Sequence, residues 1–108
     1  MLSLFSKRED AILIGLIDTW KDERELWQIA DTLIIAKVPF DPPTDPYFLA
    51  RTVGMKNNFE EYSMPIATIT MNTLIGKAYN SNPDISITSC DERLFSTNWG
   101  RSLYSELL

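Results

Sequence analysis

The chain has 108 residues, 44% of them hydrophobic and 23% charged, with a formal net charge of -5. That suits one domain with one core, and the acidic balance disfavours tight binding to phosphate backbones, which requires clustered Lys and Arg. With no histidine and Cys90 as the single cysteine, Cys/His zinc sites, a Cys/His nucleophile pair and an internal disulfide are excluded.

The start, "MLSLFSKRED", lacks the apolar stretch of a signal peptide before its charges begin, and the longest apolar run, residues 11–17, is too short to span a bilayer. One free thiol suits a reducing compartment, so the expectation is a cytoplasmic protein that does not enter a membrane. Ser6 and Glu9 have capping-box spacing, but "AILIGLI" follows at once and a strand competes with a helix there. Seven apolar or Gly residues in a row suit a strand buried on both faces, and a strand is expected over residues 11–16. "KDERELWQIA", residues 21–30, combines good helix formers with apolar Leu26, Ile29 and Ala30 at helical spacing and predicts a connecting helix. Trp27 on it lies one heptad from Trp20, and the two rings suit a shared packed face. "DTLIIAKV" then reads as a second strand, so the first three elements predict a parallel βαβ unit.

"KVPFDPPTDPY" holds four of the six prolines between Pro39 and Pro46. Proline has no N–H and a fixed φ, so the ladder must stop by Pro39 and the chain leaves the sheet stiffly, as a shaped loop rather than a flexible linker. Loops beyond the carboxyl ends of parallel strands are the usual ligand edge of α/β sheets. "PYFLARTVGM" predicts a helix with Pro46 in its first turn and Gly54 near its end, and "KNNFEEYS" a loop or short turn. Ser63 is placed to cap a helix over "MPIATITMNTLIGKAY" despite the helix-lowering Thr68, Thr70 and Thr73. "NSNPD" breaks it, "ISITS" predicts a third strand, and "TNWGRSLYSELL" a closing helix. Cys90 is expected as a small buried packing residue, and Asp91 as a turn-shaping carboxylate.

The succession "ILIG", Trp20, "LIIAKVPFDPPTDP", "NNFEEYSMPIA", "DER" and "NWGRSLYSELL" resembles the second RecA-like domain of the DinG helicases, in the XPD-type branch of superfamily 2. The resemblance runs from about Leu4 to Leu108, and its most specific part is "KVPFDPPTDP". It implies an α/β fold with a RecA-like parallel sheet and flanking helices, one domain over residues 1–108 that is incomplete at its N-terminal side. In a complete helicase such a domain closes over ATP held by a first RecA-like domain and grips single-stranded DNA.

Departures from the family pattern are as informative as the match. A segment resembling G-x-x-S-F-W-E-G-V-D falls on residues 15–24, where Gly15 and Trp20 alone are kept and Arg24 replaces the last acid. The helical motif resembling Q-x-x-G-R-x-x-R falls on Thr73, Gly76, Lys77 and Asn80, with both arginines changed. An arginine finger offers a bidentate charge to the transferring phosphoryl group, which hydrated Lys77 matches only as a point charge and neutral Asn80 not at all. "TLIGKA" is no P-loop either, since Met71 stands where the first Gly belongs and Ala78 where Ser or Thr would hold the metal.

The nucleotide-facing positions implied by the resemblance are thus Thr73, Gly76, Lys77 and Asn80. Trp20 and Lys21 are the implied contacts to nucleic acid or to a partner; packing competes for Trp20, and plain solvation for Lys77. Asp18, Asp22, Glu23 and Glu25 read as a solvated face interleaved with Lys21 and Arg24, or as an acidic patch for a basic partner. The resulting expectation is a helicase-like domain with no catalytic residues, cofactor or metal of its own. It would serve as an accessory or docking module for a nucleic-acid-processing protein partner, with weak single-stranded DNA contact and, through an exposed sheet edge, self-association into a homo-oligomer. The alternative is an acidic phage- or plasmid-type interaction protein that inhibits or regulates a helicase or another nucleic-acid-binding complex.

Overall fold

The computed structural model describes residues 5, 7, 10–17, 21–42 and 44–107. Two short strands organise it, β1 at Thr32–Ile35 and β2 at Ser86–Ser89, joined in parallel with Leu33 opposite Ile87 and Ile35 opposite Ser89. The two-residue period puts Leu33, Ile35, Ile87 and Ser89 on one face. On that face Ile35 is buried and Leu33 and Ile87 pack against the core, whereas Ile34 on the other face is 58% exposed.

Helix α1, Arg24–Ile29, precedes β1 and buries Leu26 and Trp27. The Trp27 indole N–H donates to the Lys21 carbonyl at 3.2 Å, which gives the buried ring its polar partner. A parallel pair cannot be closed by a hairpin, and the crossover from β1 to β2 carries α2 at Pro46–Arg51 and the long α3 at Met64–Ser81. Asp45 caps α2 by accepting from the Tyr47 N–H at 2.8 Å, with Pro46 at the first helical position where no donor is missed. The chain then turns through Gly54, whose φ of 82° only glycine adopts without strain. After β2 come α4, Arg93–Ser96, and α5, Asn98–Ser105.

Helix α3 is the spine of the core. Ala67, Met71, Leu74, Ile75 and Ala78 recur at helical spacing and are all buried, in one cluster with Leu26, Trp27, Ile35, Ile85, Leu94 and Leu103. Its threonines are accommodated partly because the Thr68 hydroxyl donates back to the Met64 carbonyl at 2.8 Å. At its end the Asn82 side-chain amide donates to the Ala30 carbonyl at 2.8 Å and so ties the helix to the start of β1.

Several expectations are corrected. Residues 11–16 form no strand and pair with neither β1 nor β2, so the parallel unit is β1–crossover–β2 rather than one built on residues 11–16. An apolar run specifies burial, not which neighbour supplies the ladder. Instead Leu13 and Ile17 rest against the core while Ile12, Ile14 and Leu16 are 86%, 86% and 75% exposed. The loop or short turn expected before α3 is resolved as a π-helical turn, Phe59–Ser63, running directly into α3. Pro65 lacks the N–H that the Glu61 carbonyl would need, and the wider turn accommodates its ring. Ser63 is therefore helical itself and makes no side-chain cap. Cys90 is exposed, not buried. The capping pair Ser6 and Glu9, and Asp18 and Trp20, lie outside the described residues.

Candidate functional site

Both strands end at the same side of the sheet, and the loops leaving them are fastened to each other. The Ile35 carbonyl accepts from the Cys90 N–H at 2.9 Å and from the Ser89 hydroxyl at 3.1 Å. Pro39 sits at the centre of a three-residue turn closed by the Phe40 N–H on the Val38 carbonyl at 3.0 Å, a geometry its fixed φ favours. The Val38 N–H, freed from the ladder, donates to Asp91 Oδ2 at 2.9 Å.

Asp91 is the hub. It is buried, and Arg93 reaches it bidentately, Nε to Oδ1 at 2.8 Å and Nη2 to Oδ2 at 2.6 Å, while the Arg93 backbone N–H also donates to Oδ1 at 3.2 Å. The Arg93 guanidinium above all, and the Val38 N–H with it, hold the Asp91 carboxyl well below the ordinary carboxylate range although burial acts the other way. Arg93 is correspondingly raised by the same bond. The guanidinium also lies 5.9 Å from the Phe40 ring centre and 5.5 Å from that of Trp99. Phe40, Phe59 and Trp99 pack together, with centroids 5.5 Å apart for Phe40–Phe59, 5.3 Å for Phe40–Trp99 and 5.4 Å for Phe59–Trp99. The proline loop and α5 thus converge on one cation, and the π-helical turn packs beside them through Phe59. With the Arg93 side chain 43% exposed, this is a rigid, charge-balanced platform at the strand ends.

The positions singled out on α3 lie on a separate stripe. Thr73, Lys77 and Asn80 follow at i, i+4 and i+7, with Gly76 beside them, on the side away from Met71 and Leu74. Thr73 and Asn80 are exposed, and Gly76 and Lys77 are half-buried. Lys77 is ion-paired with Asp22, and its hydrogen bond is the main reason the Asp22 carboxyl is lowered. The fold therefore brings the α3 stripe against the segment at residues 21–24. Lys21, in that segment, is half-buried. Asp91 does shape a local turn, through Arg93, but its contact to Val38, 53 positions away in the chain, is invisible to local reasoning. Arg93 and the aromatic trio were likewise missed; the Asp-x-Arg spacing in "DER" was the available signal. Among the described residues no three His, Cys, Asp or Glu side chains gather as a metal site, and no helix is long and apolar enough to cross a membrane.

Comparison with known proteins adds an independent line. The chain is 26% identical over 112 residues to the ATP-dependent DNA helicase YoaA of Escherichia coli K12, aligning 99% of itself with 18% of that protein. It is 25% identical over 112 residues to YoaA of Haemophilus influenzae, again 99% of this chain and 18% of the relative. It is 30% identical over 107 residues to the 3'-5' exonuclease DinG of Bacillus subtilis, 94% of this chain and 11% of the relative. The similarity is to DinG-type helicases. The chain spans less than a fifth of the length of these curated relatives, and nearly all of it aligns. No protein-family model matches the chain, and no solved structure matches it significantly.

Proposed function

We propose that the chain is a DinG-type second motor domain, RecA-like in its sheet, that is catalytically silent alone and acts by docking onto a nucleotide-holding partner. The observation carrying this reading is the alignment of 99% of the chain with one stretch of two proteins named as ATP-dependent DNA helicases. The α3 stripe supports it. A nucleotide-facing surface needs a free forked cation for the phosphoryl group, and here the sole cation among Thr73, Gly76, Lys77 and Asn80 is held by Asp22. The clamped proline loop at the strand ends supplies a preshaped surface for docking and for any single-stranded DNA contact, with Trp20 and Lys21 as further contacts. The cytoplasm is the compartment this role implies.

The test is to titrate the chain against a complete DinG-type helicase and against labelled single-stranded DNA, and to assay ATP turnover by the chain alone. Binding to the helicase at micromolar concentration with no turnover is the expected result. Turnover by the isolated chain, or no binding to either ligand at high micromolar concentration, overturns the reading.

A further inference from the structure

Two unmet needs lie in this one chain. The first is the free edge of β2. Ser86 and Cys90 donate their N–H groups to β1-side carbonyls, those of Asp31 and Ile35, so by the two-residue period Ile87 and Ser89 direct theirs to the opposite edge. An open cleft of about 440 Å³ borders that edge, between α3, α4 and α5. It is floored by Met71, Ile75 and Leu94 and rimmed by Tyr79, Phe95 and Tyr104, and none of its lining residues carries a formal charge. Phe95 and Tyr104 are 55% and 53% exposed.

The second is residues 11–16, "AILIGL", which have the composition of a buried strand and no ladder partner. Their outward row, Ile12, Ile14 and Leu16, is the most exposed run of large apolar side chains among the described residues. The segment is uncharged too, which matters in a chain of net charge -5, because a neutral strand entering a neutral cleft is a contact two like-charged copies can make. Lengths are compatible, since the four residues of β2 span about 10 Å and the stretch from Ile12 to Leu16 about 13 Å when extended, enough to cover the whole edge.

We propose that two copies of this chain associate reciprocally, each adding residues 11–16 as a strand to the free edge of β2 in the other. The added backbone pairs with the outward groups of Ile87 and Ser89, and alternate side chains enter the cleft beside Phe95 and Tyr104. Strand addition takes its strength from main-chain bonds and its selectivity from the pocket beneath them, and the reciprocal exchange closes a two-fold dimer in which the same two segments are used up on both copies.

Sedimentation of the full chain from low to high micromolar concentration tests this, with Ile14→Lys on the strand and Phe95→Lys on the cleft rim. Both side chains are exposed in the single chain, so each variant keeps its circular dichroism spectrum. The wild type is expected to reach twice the chain mass, and each variant to stay at the monomer mass. In the wild type, amide exchange at Ile87, Ser89 and residues 12–16 slows as the concentration rises. A wild type that stays monomeric, or dimers that survive both substitutions, overturns the proposal. A monomer that nonetheless binds a DinG-type helicase through the cleft assigns it to that partner and also overturns self-pairing. Helicase docking is assayed separately and fails or stands independently of this result.

Discussion

Asp91 concentrates more structural consequence than any other polar side chain described. It accepts from the Val38 N–H, the Arg93 N–H and the Arg93 guanidinium while almost wholly removed from water. Removing one partner of such a pair leaves the other polar groups unsatisfied, so Asp91→Ala is expected to cost about 2–4 kcal/mol, read as a lowered urea midpoint. The sign of its pH dependence follows from the lowered carboxyl. Stability from a depressed carboxylate is fully present above the unfolded value of about 3.9 and is lost as pH falls towards the folded one. The melting temperatures of wild type and Asp91→Asn should therefore differ by a constant amount above about pH 5 and converge as pH drops below about 4. Lys77 behaves differently: its pair with Asp22 is solvent-exposed, so Lys77→Ala should leave the melting temperature nearly unchanged. A large drop would mean the α3 stripe is held by more than this ion pair.

At the scale of elements, the junction of α4 and α5 leaves no room for a side chain at Gly100. The Thr97 hydroxyl accepts from the Gly100 N–H at 2.9 Å, capping α5, and donates to the Arg93 carbonyl at 2.6 Å. A Cβ on Gly100 would collide with that same carbonyl, which is backbone and cannot swing aside. Gly100→Ala is expected to cost about 3 kcal/mol or more despite its better helix propensity, and Thr97→Ala about 1 kcal/mol, both measurable by chemical denaturation. Helix α3 was legible in the sequence because its apolar residues recur at helical spacing, and α2 because Pro46 marks its first turn and Gly54 its end. The π-helical turn was not. "KNNFEEYS" carries ordinary loop residues, and its hydrogen bonding is set by Pro65 beyond its own end and by the packing of Phe59 on Phe40 and of Tyr62 on Phe48. The proline loop was half legible. Its stiffness follows from its composition, but its anchor, Asp91, arrives from the far side of the crossover.

At the scale of the molecule, one helix carries the core and one residue tests it. Met71 is 1% exposed at the middle of α3 and touches the space between sheet and closing helix. Met71→Ala is expected to cost about 2–5 kcal/mol, a large share of the stability of a domain this size, with global unfolding at markedly lower denaturant. The α/β character, the order of most elements, the stiff exit after β1 and the stretch of DinG-type helicase that the chain resembles were all legible in the residues, because each rests on local patterning or on a collinear run. Only the folded arrangement shows that β1 pairs with β2 while residues 11–16 stay unpaired, that Lys77 meets Asp22, and that Arg93 joins Asp91 to Phe40 and Trp99. These are contacts between segments distant along the chain, and hydrophobic periodicity states that a side chain is to be buried without stating against what.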